Sequence, residues 1–174
     1  GVLAGLMTTT GKIGAIGGFD FPTIVAQMEN YKLGAKSVRP DVKTTIVYIG
    51  SFDDVSKAKE AALAQASAEA DVIFHIADAA GIGVIQAAES KGIWAIGYST
   101  DQNPVAPKTV ITSLLYDSAI MMLKDVEAVA NGTWTGEVRL YGVGTGVTDI
   151  ADFHGLVPED IAAQVYQVRE DMIS

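Results

Sequence analysis

The side chains best placed for chemistry fall in four short segments, each of which follows an apolar run. They are Gly17-Gly18-Phe19-Asp20-Phe21-Pro22, Gly50-Ser51-Phe52-Asp53-Asp54, Ala77-Asp78-Ala79-Ala80-Gly81-Ile82-Gly83 and Gly97-Tyr98-Ser99-Thr100-Asp101-Gln102. Each combines glycine with aromatic, carboxylate or hydroxyl groups. That mixture suits a flat, polar, uncharged or cationic small molecule held by stacking and hydrogen bonds. It suits phosphate badly. Phe19, Phe21 and Phe52 stand beside glycine rather than on a periodic apolar face, so a stacking surface and a core position are both open to them. Asp53 and Asp54 read most simply as a helix N-cap and a first-turn acid, with a ligand role as the alternative.

Other chemistries find little support. Gly81-Ile82-Gly83 lacks the third glycine of a dinucleotide fingerprint, and no GxxxxGK[ST] segment occurs. Gly17, Gly18 and Gly50 read as turn geometry. His75 lies inside an apolar run and reads as a satisfied core histidine rather than a base, while His154 stands alone late in the chain. Neither belongs to an HExxH pair, and there is no GxSxG elbow. With no cysteine, thiolate nucleophiles, disulfides and Cys-ligated metal centres are excluded. An α/β enzyme acting on a nucleoside would have to use Asp20, Asp53 or Asp78 as general acid or base, and no nucleophile can be paired with them from sequence. A ligand-sensing regulatory domain is a further alternative.

The chain has 174 residues with 12 basic and 21 acidic side chains, a formal charge of −9. Nucleic acid is repelled by such a balance, and no basic cluster makes a local exception. The longest apolar runs, such as 72–76 and 111–115, are far below the roughly 20 residues needed to span a bilayer. Residue 1 is Gly, with no basic and apolar leader before it, so any targeting segment is expected to have been removed or to have lain upstream.

Short β-branched runs at 12–16, 44–49, 71–76, 93–98 and 109–112 alternate with helical patterns, the rhythm of βαβ units. IVYI and VIFHI are continuously apolar, as strands covered on both faces must be. The expected architecture is therefore a three-layer α/β fold, a mainly parallel sheet flanked by helices. Ile24, Met28, Tyr31 and Ala35 form one helical face after Pro22. A second helix is expected from a cap at Ser51, Asp53 or Asp54 to residue 70, and a third over 79–91, closed at Gly92. Further on, the pattern predicts a helix over 114–130, a strand over 137–142 and a terminal helix over 158–173. Residues 142–155 look least ordered. The apolar segment 1–7 reads as the end of a helix with little of its own to pack against, so the chain is expected to begin inside a larger protein; docking on its own sheet is the alternative.

Taken in order, TTTGKIGAIGGFDFP (8–22), GAKSVRPDVK (34–43), YIGSFDDVSKAKEAAL (48–63), ADVIFHIADAAGIGVIQAAESKGIWAIGYSTDQ (70–102) and TVITS (109–113) resemble the basic membrane protein family, the purine nucleoside-binding lipoproteins of bacterial ABC importers. The resemblance covers essentially the whole chain. It implies the second lobe of a type I periplasmic binding protein, with the first lobe upstream. Residues 1–10 would be the end of a helix and the hinge, 11–108 the second lobe, with 109–112 crossing back toward the first, and 109–174 the parts shared across the hinge. The implied function is that of an extracytoplasmic solute-binding protein that captures a purine base or nucleoside without turnover.

The same resemblance places Phe19, Asp20, Phe21, Phe52, Asp78, Ser99 and Tyr116 at or near the ligand. It implies no cofactor and no metal. The partners would be a small purine and an ABC permease, with no nucleic acid, and with membrane contact only through an upstream lipid anchor. The location would be periplasmic, or lipid-anchored at the outer face of the bacterial cytoplasmic membrane. Two departures affect specificity. Typical members read GVDSDQ where this chain has GYSTDQ, so Ser99 replaces a carboxylate expected on ribose hydroxyls. They often read TSVVKR where it has TSLLYD, so Tyr116 replaces a lysine. Loss of two charge-assisted contacts, each worth about 1.5 to 3 kcal/mol, points toward a purine base rather than a nucleoside.

Overall fold

The computed structural model describes residues 1–173 and consists of one six-stranded sheet between two helical layers. The strands are β1 (Lys12–Gly17), β2 (Lys43–Tyr48), β3 (Val72–Ile76), β4 (Trp94–Ser99), β5 (Val110–Tyr116) and β6 (Thr148–Ile150). Their order across the sheet is β2-β1-β3-β4-β5-β6, with every pair parallel except β5 and β6. The helices are α1 (Val2–Met7), α2 (Pro22–Val38), α3 (Val55–Ser67), α4 (Gly81–Lys91), α5 (Ser118–Ala130) and α6 (Glu159–Ile173).

The apolar alternation of the strands sorts the core into two faces. Ile13, Ala15 and Phe74 pack with Leu3, Met28 and Val165 of α1, α2 and α6. Ile16 and Ile73 pack with Ala58, Ala62, Val84 and Ala87 of α3 and α4 on the other side. Helix α2 buries Ile24, Met28, Tyr31 and Ala35, the face expected from their spacing. Helix α3 is capped by Asp54, whose carboxylate accepts from the Lys57 N–H at 3.0 Å. It ends at Ser67, three residues before the expected stop. Helix α4 closes on Gly92 at φ +63°, a left-handed cap that glycine adopts without strain.

Four expectations are corrected. First, residues 114–116 are strand rather than helix: Leu114 and Leu115 pair with Tyr98 and Ser99, and Asp117 then caps α5 by accepting from the Ala119 and Ile120 N–H groups at 2.9 and 3.1 Å. Second, 137–142 is not a strand. Val138 and Leu140 are 91% and 90% exposed, and a strand needs a neighbour to take its backbone hydrogen bonds. The β6 strand forms instead inside the segment that looked least ordered. Third, α1 does have a partner, because it lies against α2 at small residues: a β-carbon on Gly5 would sit 2.7 Å from the Ala35 carbonyl oxygen. The turn that follows is tied to the residue before β3, Asp71, which accepts from the Thr8 hydroxyl at 2.5 Å and from the Thr9 and Thr10 N–H groups at 2.8 and 3.0 Å. Fourth, Gly17 and Gly18 have no left-handed backbone, so turn geometry does not explain them; only Gly50 of that group does, at φ +72°. Residues Val110–Tyr116 form β5, alongside β4 in the same sheet.

Candidate functional site

All five parallel strands end on one edge, and the expected site residues lie along it in sheet order. Phe52 follows β2, Phe19, Asp20 and Phe21 follow β1, Asp78 follows β3, Ser99 ends β4 and Tyr116 ends β5. Strands about 4.8 Å apart make that row roughly 19 Å long from β2 to β5.

The row divides into two groups. At one end the three phenylalanines form a cluster. Phe19 and Phe21 stack with ring centroids 5.3 Å apart and planes 7° from parallel, while Phe52 tilts against them at 5.1 and 6.2 Å. Phe21 is 52% exposed and the other two are half-buried, so the cluster is partly open to solvent through Phe21. Close approach explains the glycines: a β-carbon at Gly18 would come within 2.2 Å of the Phe52 ring, and one at Gly17 within 2.7 Å of the Tyr48 ring. The Phe52 carbonyl also accepts from the Ala80 N–H at 2.8 Å, which ties this loop to the turn that carries Asp78. Asp20 is exposed beside the cluster.

At the other end, Ser99 and Tyr116 border an open hollow with Asp117, Val147 and Asp149. The phenylalanines do not line it. The Tyr116 hydroxyl donates to Met121 Sδ at 3.2 Å. Asp149 is held by Arg169 through two contacts of 2.7 and 2.5 Å, and that hydrogen bonding keeps its carboxyl below the usual range. Asp78 stands between the two groups with its carboxylate exposed.

Two of the expected residues are held in unusual backbone conformations. Asp78 has φ +45° and Ser99 φ +72°, a region non-glycine residues seldom occupy and which clusters at ligand clamps. The surrounding hydrogen bonds hold the Ser99 turn in place. Gln102 Oε1 accepts from the Tyr98 N–H at 3.0 Å and from His75 Nε2 at 2.8 Å, and the Gln102 N–H donates to Ser113 Oγ at 3.0 Å. Asp101 lies 3.0 Å from His154 Nε2, so the histidine that stood alone late in the sequence meets this loop. His75 is fully buried. Burial pushes it down to about 4 against the Gln102 hydrogen bond, which makes it a neutral core histidine.

Tyr98 is the residue that sequence reasoning passed over. It is half-buried against the main core. Burial pushes its phenol up, with the Asp78 carboxylate and then Tyr116 adding to the effect. The available signal was a tyrosine inside GYSTDQ, next to the position where the substituted serine drew notice. Among the described residues no group of three acidic or histidine side chains could hold a metal ion, and no helix is long and apolar enough to cross a membrane.

Comparison with known proteins follows the same lines. The sequence model of a family described as "ABC transporter substrate-binding protein PnrA-like" matches residues 1–174. A purine-binding protein of Brucella abortus is 30% identical over 161 residues, covering 92% of this chain and 45% of that protein. Basic membrane protein A of Borreliella burgdorferi is 35% identical over 178 residues, covering the whole chain and 52% of that protein. Among solved structures, a transcriptional activator of the comK gene from Bacillus halodurans superposes with a TM-score of 0.86 at 24% identity, over 99% of this chain and 60% of that one. An ABC transporter solute-binding protein from Conexibacter woesei gives 0.77 at 25% identity, over 98% and 57%. The chain thus spans about half the length of the curated relatives it matches.

Proposed function

The chain belongs to the PnrA-like ABC transporter substrate-binding protein family, and from that membership we propose that it supplies one wall of a cleft that captures a purine base for an ABC importer. The family consists of substrate-binding proteins rather than enzymes, and the fold is that of an ABC-transporter solute-binding protein. In this reading residues 11–108 form a ligand-binding lobe, 109–174 supply elements shared with a second lobe, and an ABC permease receives the ligand outside the cytoplasm. An upstream lipid anchor would hold the protein at the outer face of the membrane.

The observation that carries the reading is the Phe19, Phe21 and Phe52 cluster at the carboxyl edge, with Phe21 open to solvent. An aromatic face there offers a stacking surface to a flat heterocycle, and ligands of open α/β sheets bind at such an edge. Ser99, Asp78 and Tyr116 would read the ligand's polar edge, with Asp20 at the mouth of the cleft. The similarity to a purine-binding relative supports the choice of heterocycle. Closure over the ligand would be a population shift, because only the closed form brings both walls to it.

The test is calorimetric titration of the protein at the length of its relatives, with adenine and adenosine. Adenine is expected to bind more tightly, and Phe21→Ala to weaken it by about tenfold through the lost stacking. A clear preference for adenosine would remove the base over the nucleoside. An unchanged affinity in Phe21→Ala would remove the stacking surface.

A further inference from the structure

A tight turn closes β4 at the open hollow. The Thr100 N–H donates to the Tyr98 carbonyl at 3.0 Å around Ser99, which stands between them at φ +72° and lines the hollow. A hydrogen bond to the residue two positions back, across a residue of positive φ, marks the rare and strained form of γ-turn. Such a turn persists only where its surroundings over-determine it. Gln102 supplies that constraint from both its main chain and its side chain. Its N–H donates to Ser113 Oγ on β5 at 3.0 Å, and its side chain folds back so that Oε1 accepts from the Tyr98 N–H at 3.0 Å.

The same oxygen lies 2.8 Å from His75 Nε2 on β3. The Tyr98 N–H can only donate, so the amide atom facing it is the oxygen, and His75 must then carry its proton on Nε2. His75 Nδ1 is left buried without a partner. Glycines admit these side chains: a β-carbon on Gly97 would lie 2.7 Å from Gln102 Oε1 and 2.4 Å from Ser113 Oγ, and one on Gly81 would lie 2.1 Å from the His75 ring. An apolar side chain at 75 would fill the same space with no orphaned nitrogen, so stability alone does not account for the imidazole. Resting on the purine reading above, we infer that Gln102 is a positioning residue of that site: its amide oxygen, held by the Tyr98 N–H and His75 Nε2, fixes the turn that presents Ser99 to the ligand.

The experiment is a double-mutant cycle read by calorimetric titration of the protein at the length of its relatives, with whichever of adenine and adenosine wild type binds more tightly. Ser99→Ala and Gln102→Leu are each expected to weaken binding by about tenfold, the value of one well-made hydrogen bond. If Gln102 acts through Ser99, the double variant also loses about tenfold; independent effects would multiply to about a hundredfold. Gln102→Glu retains an oxygen for both donors and is expected to recover most of the affinity lost in Gln102→Leu. Melting temperatures check that each variant is folded. Should Gln102→Leu fail to fold, Ser113→Ala, which removes the acceptor of the Gln102 N–H, takes its place in the cycle with the same expected coupling. Multiplying losses, no loss in either single variant, or a Gln102→Glu as weak as Gln102→Leu would overturn the inference while leaving the purine reading intact. A wild type that binds neither adenine nor adenosine would overturn both.

Discussion

His75 illustrates how a single residue is governed by its surroundings. Its Nε2 donates to Gln102, and its Nδ1 has no partner among the described residues. The ring lies against Gly81, where a β-carbon would come within 2.1 Å of it. A charged imidazole has nothing to stabilise it there, hence the depression to about 4. The unfolded chain takes up a proton as pH falls through about 6.5, whereas the native state does so only near 4. This contribution to stability is therefore complete above about pH 6.5 and is lost progressively down to about 4, some 3 kcal/mol at most. Urea unfolding at a series of pH values should show the decline, and His75→Gln should flatten it. An unchanged slope in the variant would show that other groups set the pH dependence. Asp71 acts lower on the scale. Burial opposes its ionisation, but the hydrogen bonds from Thr8, Thr10 and Thr9 outweigh it and hold the carboxyl below its ordinary range. Its share of stability is lost only in stronger acid.

At the scale of elements, the glycines of Gly81-Ile82-Gly83 serve packing, one against His75 and the other between helices. A β-carbon at Gly83 would lie 2.1 Å from the Val55 carbonyl oxygen and 2.9 Å from the Lys59 nitrogen. The contact is backbone to side chain, so α4 would have to move away from α3. Gly83→Ala is expected to cost about 1 to 3 kcal/mol, the usual range for overpacking, read as a lower urea midpoint at unchanged slope. A variant as stable as wild type would mean that the two helices can separate freely. The error at 114–116 has a related origin. SLLY fits a helix or a strand equally well on local pattern, and pairing of Leu114 with Tyr98 on one side and Ile150 on the other decides it.

For the whole molecule the notable feature is α5, which has no buried residue. Met122, Leu123, Val126 and Val129 are all at least 60% exposed, and Trp134 follows at 54%. A soluble monomer seldom leaves so continuous an apolar face uncovered. In the two-lobe reading this face is covered by the remainder of a protein of the relatives' length. Sedimentation of this chain alone should therefore show mass rising with concentration, and Val126→Glu with Val129→Glu should suppress it. A chain that stays monomeric at high concentration would count against that reading of the face.

The five parallel strands, the helical layers and the composition of the edge loops were largely legible in the sequence because each depends on local pattern: continuous apolar runs for doubly covered strands, a spacing of three and four for α2, glycine beside an aromatic or acidic group at strand ends; the antiparallel β6 was not. Within the candidate site, Phe19, Phe21 and Phe52 could be picked out singly for the same reason. What only the tertiary structure decided was who meets whom. The sheet order inserts β1 between β2 and β3, which brings Phe52 onto Phe19, and it sets β3, which leads into Asp78, beside β4, which carries Tyr98. The same folding gives α1 a partner and pairs Asp101 with His154. Local periodicity records which face of an element turns inward, but lateral neighbours come from the crossovers between strands, and these contacts join residues that lie far apart in the chain.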